Sequence, residues 1–318
     1  MSDQSVKNGQ SSLAGHADRR QSLRVGISSR ALFDLEQENR IFEAEGSEAY
    51  DRHQVENERE PLSSGAAFQL IKGLLRLNQY LPNDGAVEVV VMSRNSPEVS
   101  IRIFESCKHH GLDIRMGAFT RGRPLSDYFT AYDVDLFLSK NEQDVQVAID
   151  AGTPAALVLQ LPKNEGSTRD DVRIAFDADC VLFSEESEYI FKTAGLDAFE
   201  AHEKEKSQLP LAPGPHERLL RALSKLQDAL GTNRDKLRLA IVTARGSPAH
   251  ERVIRTLRVW KIQIDEIFFM SGSSKHLVLE AFGADIFFDD QMKHLESASK
   301  IVPSGRVPYH TDSSLHKR

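Results

Sequence analysis

The chain has 318 residues, 40% of them hydrophobic and 27% charged, which is enough for two domains of ordinary size with a core each. A net charge of −7 argues against nucleic acid or an anionic membrane as the main partner, but leaves room for a small anion captured locally. No apolar run approaches the ~18 residues of a membrane span, and the N-terminus lacks a signal-type apolar core. The two cysteines, Cys107 and Cys180, suit a reducing, cytoplasmic setting better than a structural disulfide.

In chain order, residues 1–22 are polar and read as a disordered tail. Residues 23–160 alternate short apolar runs with amphipathic stretches and form a first α/β unit. Residues 161–171 are polar and turn-rich and read as a linker. Residues 172–310 form a second α/β unit, and 311–318 a short polar tail. In the second unit, strands are expected at Val172–Phe176, Leu237–Thr243, Ile264–Met270 and Ala284–Phe288, with a fifth at Arg306–Pro308. Leucines at helical spacing mark Pro215–Leu230, and Val253, Ile254, Leu257 and Trp260 mark Pro248–Trp260. Strands alternating with helices imply two Rossmann-like parallel-sheet units.

The second unit repeats the first. Pro61, Leu62 and Gly65, followed by Leu70, Leu74 and Leu77, recur 149 residues later as Pro210, Leu211 and Gly214, then Leu219, Leu223 and Leu226. Glu36, Phe42, Gly46 and His53 recur as Glu185, Phe191, Gly195 and His202. Further on the offset is 150, so that Val90–Arg94 aligns with Ala240–Ala244 and Asp135–Ser139 with Asp285–Asp289. Such a register over this span is the mark of a duplicated unit. Where the copies agree, a residue serves the fold; where they differ in charge, chemistry is the better explanation.

They differ at the strand ends, where parallel sheets bind ligands. The second copy has Asp177 and Asp179 after its first strand, Thr243 after its second, Lys275 in a helix start, and Asp289–Asp290 after its fourth. The first copy has Ser28, Arg30, Ser93, Leu125, Ser139 and Lys140 at the matching positions. All four acids and the lysine are replaced together, which solvated loop residues would have no reason to do. Each position also has a plainer reading. Asp177 and Asp179 suit a turn, Asp289–Asp290 and Thr243 suit helix caps, and Lys275 suits a solvated first helical turn.

The ordered set Asp177-x-Asp179, Thr243, Lys275, Asp289–Asp290 resembles the four-motif signature of haloacid dehalogenase-like phosphatases. The segments Phe176–Glu188, Val242–Arg245, Phe287–Gln291 and Val307–Tyr309 are similar to the cytosolic 5′-nucleotidase type I family. So are Ser28–Phe33 and Ser93–Asn95 in the first copy. The resemblance implies a haloacid dehalogenase-like fold with a small helical cap inserted at about 184–236. It implies a phosphoric monoester hydrolase, a 5′-nucleotidase using Mg²⁺ and an aspartyl-phosphate intermediate, with Asp177 as nucleophile and Asp179 as acid and base. Thr243, Ala244 and Lys275 would bind phosphate, and Asp177, Asp179, Asp289 and Asp290 the metal. It further implies a nucleoside monophosphate substrate and assembly into homo-oligomers, while the net charge leads us to expect no nucleic-acid or membrane partner. Ser28, Arg30, Ser93, Arg94 and Asn95 gather a neutral to basic mouth in the first copy, read either as a substrate or regulatory phosphate site or as a relic. Two alternatives stay open: a phosphatase of another small ester, and a nucleotide-sensing protein whose catalysis has lapsed.

Overall fold

A computed structural model describes residues 22–81, 87–159 and 169–316. Residues 1–21 of the expected tail and most of the expected linker over 161–171 lie outside the described residues. Five strands come from the first half: β1 (Leu23–Ile27), β4 (Val87–Ser93), β5 (Met116–Phe119), β6 (Leu136–Ser139) and β7 (Ala155–Val158), with a small ribbon of β2 (Phe33–Asp34) and β3 (Ser63–Ser64) beside them. Five come from the second: β8 (Val172–Phe176), β9 (Leu237–Thr243), β10 (Glu266–Phe269), β11 (Ile286–Asp289) and β12 (Ser304–Arg306). The expected strands thus fall into place, although the last lies at 304–306 rather than 306–308.

All ten form one sheet in the order β10-β9-β8-β11-β12-β7-β6-β1-β4-β5. Every pairing is parallel except β12–β7, where Gly305 faces Val158 and Arg306 faces Leu157. Each half therefore lays its strands in the same sequence-relative order, and the halves meet edge to edge. This seam was not legible in the chain. It removes two unpaired strand edges, which would otherwise invite pairing with other molecules. A parallel sheet needs both faces covered, and the two central strands β1 and β8 are buried along nearly their whole length.

The helices that cover the seam cross between the halves. Phe68–Arg76 buries Phe68, Leu70, Ile71 and Leu74. Its Gly73 lets the helix approach β8, since a Cβ there would lie 3.1 Å from the Val172 side chain. Arg76 donates to the Arg169 carbonyl at 3.0 Å. In return Glu217–Leu230 buries Leu219, Leu220, Leu223, Leu226 and Leu230, each contributing about 1.5–3 kcal/mol of transfer free energy. Arg218 on that helix reaches Asp133 of the first half at 3.0 Å. One hydrophobic cluster accordingly runs through both halves.

The helical excursion after each first strand also matches. Glu36–Glu45 and Ser47–Glu56 are separated by Gly46 at φ +85, and Glu186–Glu205 breaks at Gly195 at φ +83. A side chain with a Cβ tolerates that backbone poorly. At the other end of the chain, Leu315 is buried, Thr311 N–H donates to Asp150 at 3.0 Å, and Ser313 donates to Glu185. The short polar tail therefore packs back onto the helix start at 185. Among the described residues no helix is long and apolar enough to cross a membrane.

Candidate active site

The carboxyl ends of β8 and β11 are adjacent, because the two strands pair directly, Phe176 against Phe288. The chain leaves β8 at Asp177, whose backbone N–H donates to the Phe288 carbonyl at 2.8 Å. It turns sharply through Cys180, which sits in the left-handed region at φ +63. Such a conformation costs a residue with a Cβ roughly 1–2 kcal/mol, and strain of this kind collects at functional sites. In the first half the same stretch is an ordinary helical turn, Ser29–Leu32, capped by Ser28 accepting from the Ala31 N–H at 3.3 Å. Gly214 closes the turn from the outside; a Cβ there would collide with the Phe183 carbonyl.

Asp177, Lys275, Asp289 and Asp290 are all buried. Lys275 Nζ lies 3.0 Å from Asp177 Oδ2 and 2.7 Å from Asp289 Oδ2. Asp289 Oδ1 also accepts from the Gln291 N–H at 2.8 Å, and Oδ2 lies 3.0 Å from His294 Nδ1. Asp290 Oδ2 accepts from the Tyr309 hydroxyl, while its Oδ1, though buried, has no hydrogen-bond partner among the described residues. Asp179 is held apart from this set. Its two oxygens accept from Arg245 Nη2 at 2.6 Å and Nε at 2.8 Å.

Three buried carboxylates around one ammonium leave an excess of negative charge, and the titration of the group reflects it. Burial, with Asp289 and Asp179 adding to it, pushes Asp177 up to about 7 against the pull of Lys275. Burial and the neighbouring Asp289 and Asp177 raise Asp290 well above the usual carboxylate range. Asp289 is desolvated too, but Lys275 and His294 hold it below its ordinary value. Lys275 is desolvated as well, yet its two carboxylate partners keep it raised and charged. Without such partners a buried charge is strongly unfavourable.

The same excess is what a hard cation relieves. One ligand atom each from Asp177, Asp289 and His294 lies within 4.8 Å of the others, and the unpartnered Asp290 oxygen is a further donor of the oxygen type that Mg²⁺ prefers. The residues therefore fit a divalent ion.

Thr243 ends β9, next to β8, and is buried, with its Oγ1 accepting from the Arg245 N–H at 3.2 Å. Ala244 is exposed beside it, its carbonyl accepting from the Gly272 N–H at 3.0 Å. Both stand at the same end of the sheet as the acids. Glu188 lies nearby, accepting from Gln291 at 3.0 Å and facing Lys192 at 3.2 Å.

The first half shows what the same frame does without acids. Ser29 and Ser93 hydroxyls lie 3.3 Å apart, and Asn95 donates to the Tyr50 hydroxyl at 2.8 Å. Arg30 and Lys140 both pair with Glu36, and Arg94 pairs with Asp144 at 3.0 Å. Leu125, at the Lys275 position, is buried in apolar contact. Of Ser28, Arg30, Ser93, Arg94 and Asn95, the Asn95 N–H donates to Ser93 Oγ at 3.2 Å, Ser28 caps its own helical turn, and the two arginines are engaged by carboxylates.

Sequence reading missed His294, Arg245 and Glu203. For His294 a signal existed: its counterpart in the repeat is Asp144, a change of charge beside a motif. Arg245 was likewise visible as the counterpart of Asn95, within a segment quoted only for its resemblance.

The family described as 5′-nucleotidase matches residues 16–314. Human cytosolic 5′-nucleotidase 1B is 35% identical over 289 residues, covering 88% of this chain and 47% of the relative. The chain thus spans about half the length of that curated relative. No solved structure matches. The acid cluster at the strand ends and the match along nearly all of the sequence agree, and the chain belongs to the 5′-nucleotidase family.

Proposed function

We propose that the chain is a Mg²⁺-dependent 5′-nucleotidase that hydrolyses nucleoside 5′-monophosphates to nucleoside and phosphate. The observation that carries this reading is Lys275 wedged between Asp177 and Asp289 at the ends of adjacent strands. Two carboxylates and an ammonium in a dry mouth are the groups that phosphoryl transfer to a carboxylate needs.

Asp177 is the nucleophile. Its oxygen forms a bond to phosphorus as the bond from phosphorus to the ribose oxygen breaks, and a proton from Asp179 goes to that oxygen. Water then attacks the aspartyl-phosphate, giving its proton to Asp179, and phosphate leaves with Asp177 restored. Lys275, Thr243 and the Ala244 segment face the non-bridging oxygens, where charge is greatest in the transition state. Asp177, Asp289, Asp290 and the Asp179 carbonyl are the residues to hold Mg²⁺, with His294 beside Asp289. Bound there, the ion offsets the repulsion between an anionic nucleophile and a dianionic phosphate.

Two α/β units from one duplicated sequence account for the matching strand order. Within the expected cap at 184–236, residues 186–205 are the part that serves as a lid, since 217–230 is committed to the seam. Lid closure excludes water and selects the leaving group. The cytosolic setting in the relative's name extends to this chain on the same reading.

Phosphate release from a panel of nucleoside 5′-monophosphates and sugar phosphates at equal concentration, with Mg²⁺ or with chelator, tests the proposal. Turnover confined to nucleotides with Mg²⁺ is expected. Preference for sugar phosphates, or turnover that survives chelation, would refute it.

A further inference from the structure

Arg245 is an unusual residue to find so deep. Its side chain is 1% exposed, and it is held on three sides. Glu203, itself fully buried, accepts from its Nη1. Its guanidinium lies 5.3 Å from the centroid of the Phe199 ring. On the third side it forks onto Asp179. Glu203 is in turn held by Ser187 at 2.8 Å and Arg252 at 2.9 Å. Glu203, Phe199 and Ser187 all belong to the helical segment Glu186–Glu205, whereas Arg245 follows β9.

The other half supplies a control. The counterparts of Arg245, Phe199, Glu203 and Asp179 are Asn95, Tyr50, Gln54 and Arg30. Asn95 bonds Tyr50, and Gln54 accepts from Arg102 at 2.8 Å, the counterpart of Arg252. In each half the second arginine holds a buried carboxylate, Glu203 on Arg252 at 2.9 Å and Glu38 on Arg102 at 3.0 Å, and these contacts serve the fold. The counterpart of Glu38 is Ser187, so the carboxylate has only changed places with its neighbour between the halves. The Arg245 charge is present only in the half that has Asp177 and Asp179, and it ties Glu203 to Asp179.

We propose that Arg245 is a positioning residue for Asp179, and that through Glu203 it makes the placement of Asp179 depend on the helical segment 186–205. This rests on the proposed role of Asp179 as proton donor and acceptor. A carboxylate offers about four lone-pair sites and the fork takes two, so two remain for the proton passed to and from the ribose oxygen and the water. Asp179 is partly exposed and would otherwise sample several rotamers. A rigid, buried guanidinium confines it to one, and proton transfer is sensitive to displacements of about 1 Å. Arg suits this where Lys does not, because only the planar fork fixes both oxygens.

The test uses the full chain with Mg²⁺. Arg245→Ala alone leaves Glu203 buried beside a missing partner, so the decisive variant is the triple replacement Arg245→Asn, Glu203→Gln and Ser187→Glu. It installs the Asn95, Gln54 and Glu38 set that the first half already accommodates and keeps a carboxylate for Arg252. Two substrates are compared, a nucleoside 5′-monophosphate and p-nitrophenyl phosphate. The nitrophenolate leaves without a proton, whereas the ribose oxygen needs one. If Arg245 positions Asp179, kcat for the nucleotide falls about 100-fold and kcat for the aryl ester less than 10-fold, with KM for the nucleotide changed little. Arg245→Lys recovers only part of the loss. Equal losses on both substrates, no loss, or a gain would overturn the proposal. The wild-type protein and Asp177→Asn, assayed in parallel, keep the two questions apart. Wild-type turnover abolished by Asp177→Asn upholds the hydrolase reading whatever the triple variant does.

Discussion

The two mouths of this sheet are built on one frame and hold opposite contents. At the end of β1 the chain makes a helical turn, a serine caps it, and the nearby cations are paired off with Glu36 and Asp144. At the end of β8 it makes a strained turn and gathers three buried carboxylates, two of them on Lys275 and the third, Asp290, on the Tyr309 hydroxyl. Apolar positions around both are equally buried. The difference shows that the frame does not need the acids. Their cost in desolvation, visible in the raised Asp177 and Asp290, is tolerated in one place only. That is the behaviour expected of a site rather than of a scaffold.

Exchanging features between the halves is the most direct way to break this comparison. Removing the nucleophile should have the largest effect. Asp177→Asn is expected to lower phosphate release by about 10⁴-fold or more, while Ser28→Ala at the matching position leaves turnover within about two-fold. Comparable losses at both would erase the functional asymmetry. Lys275→Leu installs the residue that the first half has there. It leaves the carboxylates without their cation and should cost about 3–5 kcal/mol in metal-free denaturant unfolding. An unchanged midpoint would mean that Lys275 does not organise the cluster.

His216 sharpens the comparison at the seam. It is fully buried, near the Ala155 carbonyl at 3.1 Å, and its counterpart is Ala67. Burial lowers its pKa from 6.5 to about 4, against the opposing effect of its bond to the Ala155 carbonyl. Between those values the unfolded chain takes up a proton that the folded chain refuses, so stability is complete above about pH 6.5 and falls as the pH drops toward 4. The contribution is about 3 kcal/mol. His216→Leu should flatten the wild-type slope over that window in urea titrations; parallel slopes would count against it.

Metal addition should show a similar magnitude. At 100 times its dissociation constant, Mg²⁺ should stabilise the wild-type protein by about 2.7 kcal/mol. Asp289→Asn should lose most of that gain, and an equal response in both would place the ion elsewhere. The smallest effect is expected at Arg94→Ala. Arg94 is a third exposed and its partner Asp144 mostly buried, so its loss is expected to cost about 1 kcal/mol, the upper end for a solvated pair. A larger loss of stability or any loss of turnover would give the first mouth a role that its paired charges do not suggest.

Much of this was legible in the chain. Strands β8, β9 and β11 announced themselves as apolar runs followed by acids or a hydroxyl, and the repeat separated Asp177, Asp179, Lys275, Asp289 and Asp290 from their neighbours. The fork on Asp179 was not legible, because Arg245 lies 66 residues away and Glu203 a further 42 from Arg245. Nor was the exchange of Phe68–Arg76 and Glu217–Leu230 across the seam, since their leucines specify an apolar face without saying which strand it meets. His294 was hidden for a related reason: a histidine about one turn past a motif gains meaning only when the helix aims it back at Asp289.

By itself the sequence determined the alternation of strands and helices, the likeness of the two halves, and which half carries acids at its strand ends, because periodicity and residue type are local properties. Tertiary structure alone decided that the halves share one sheet, that Lys275 stands between two carboxylates, and that Asp179 is clamped from behind. Those outcomes depend on which distant groups are brought within about 3 Å, where direction and desolvation set the strength of an interaction.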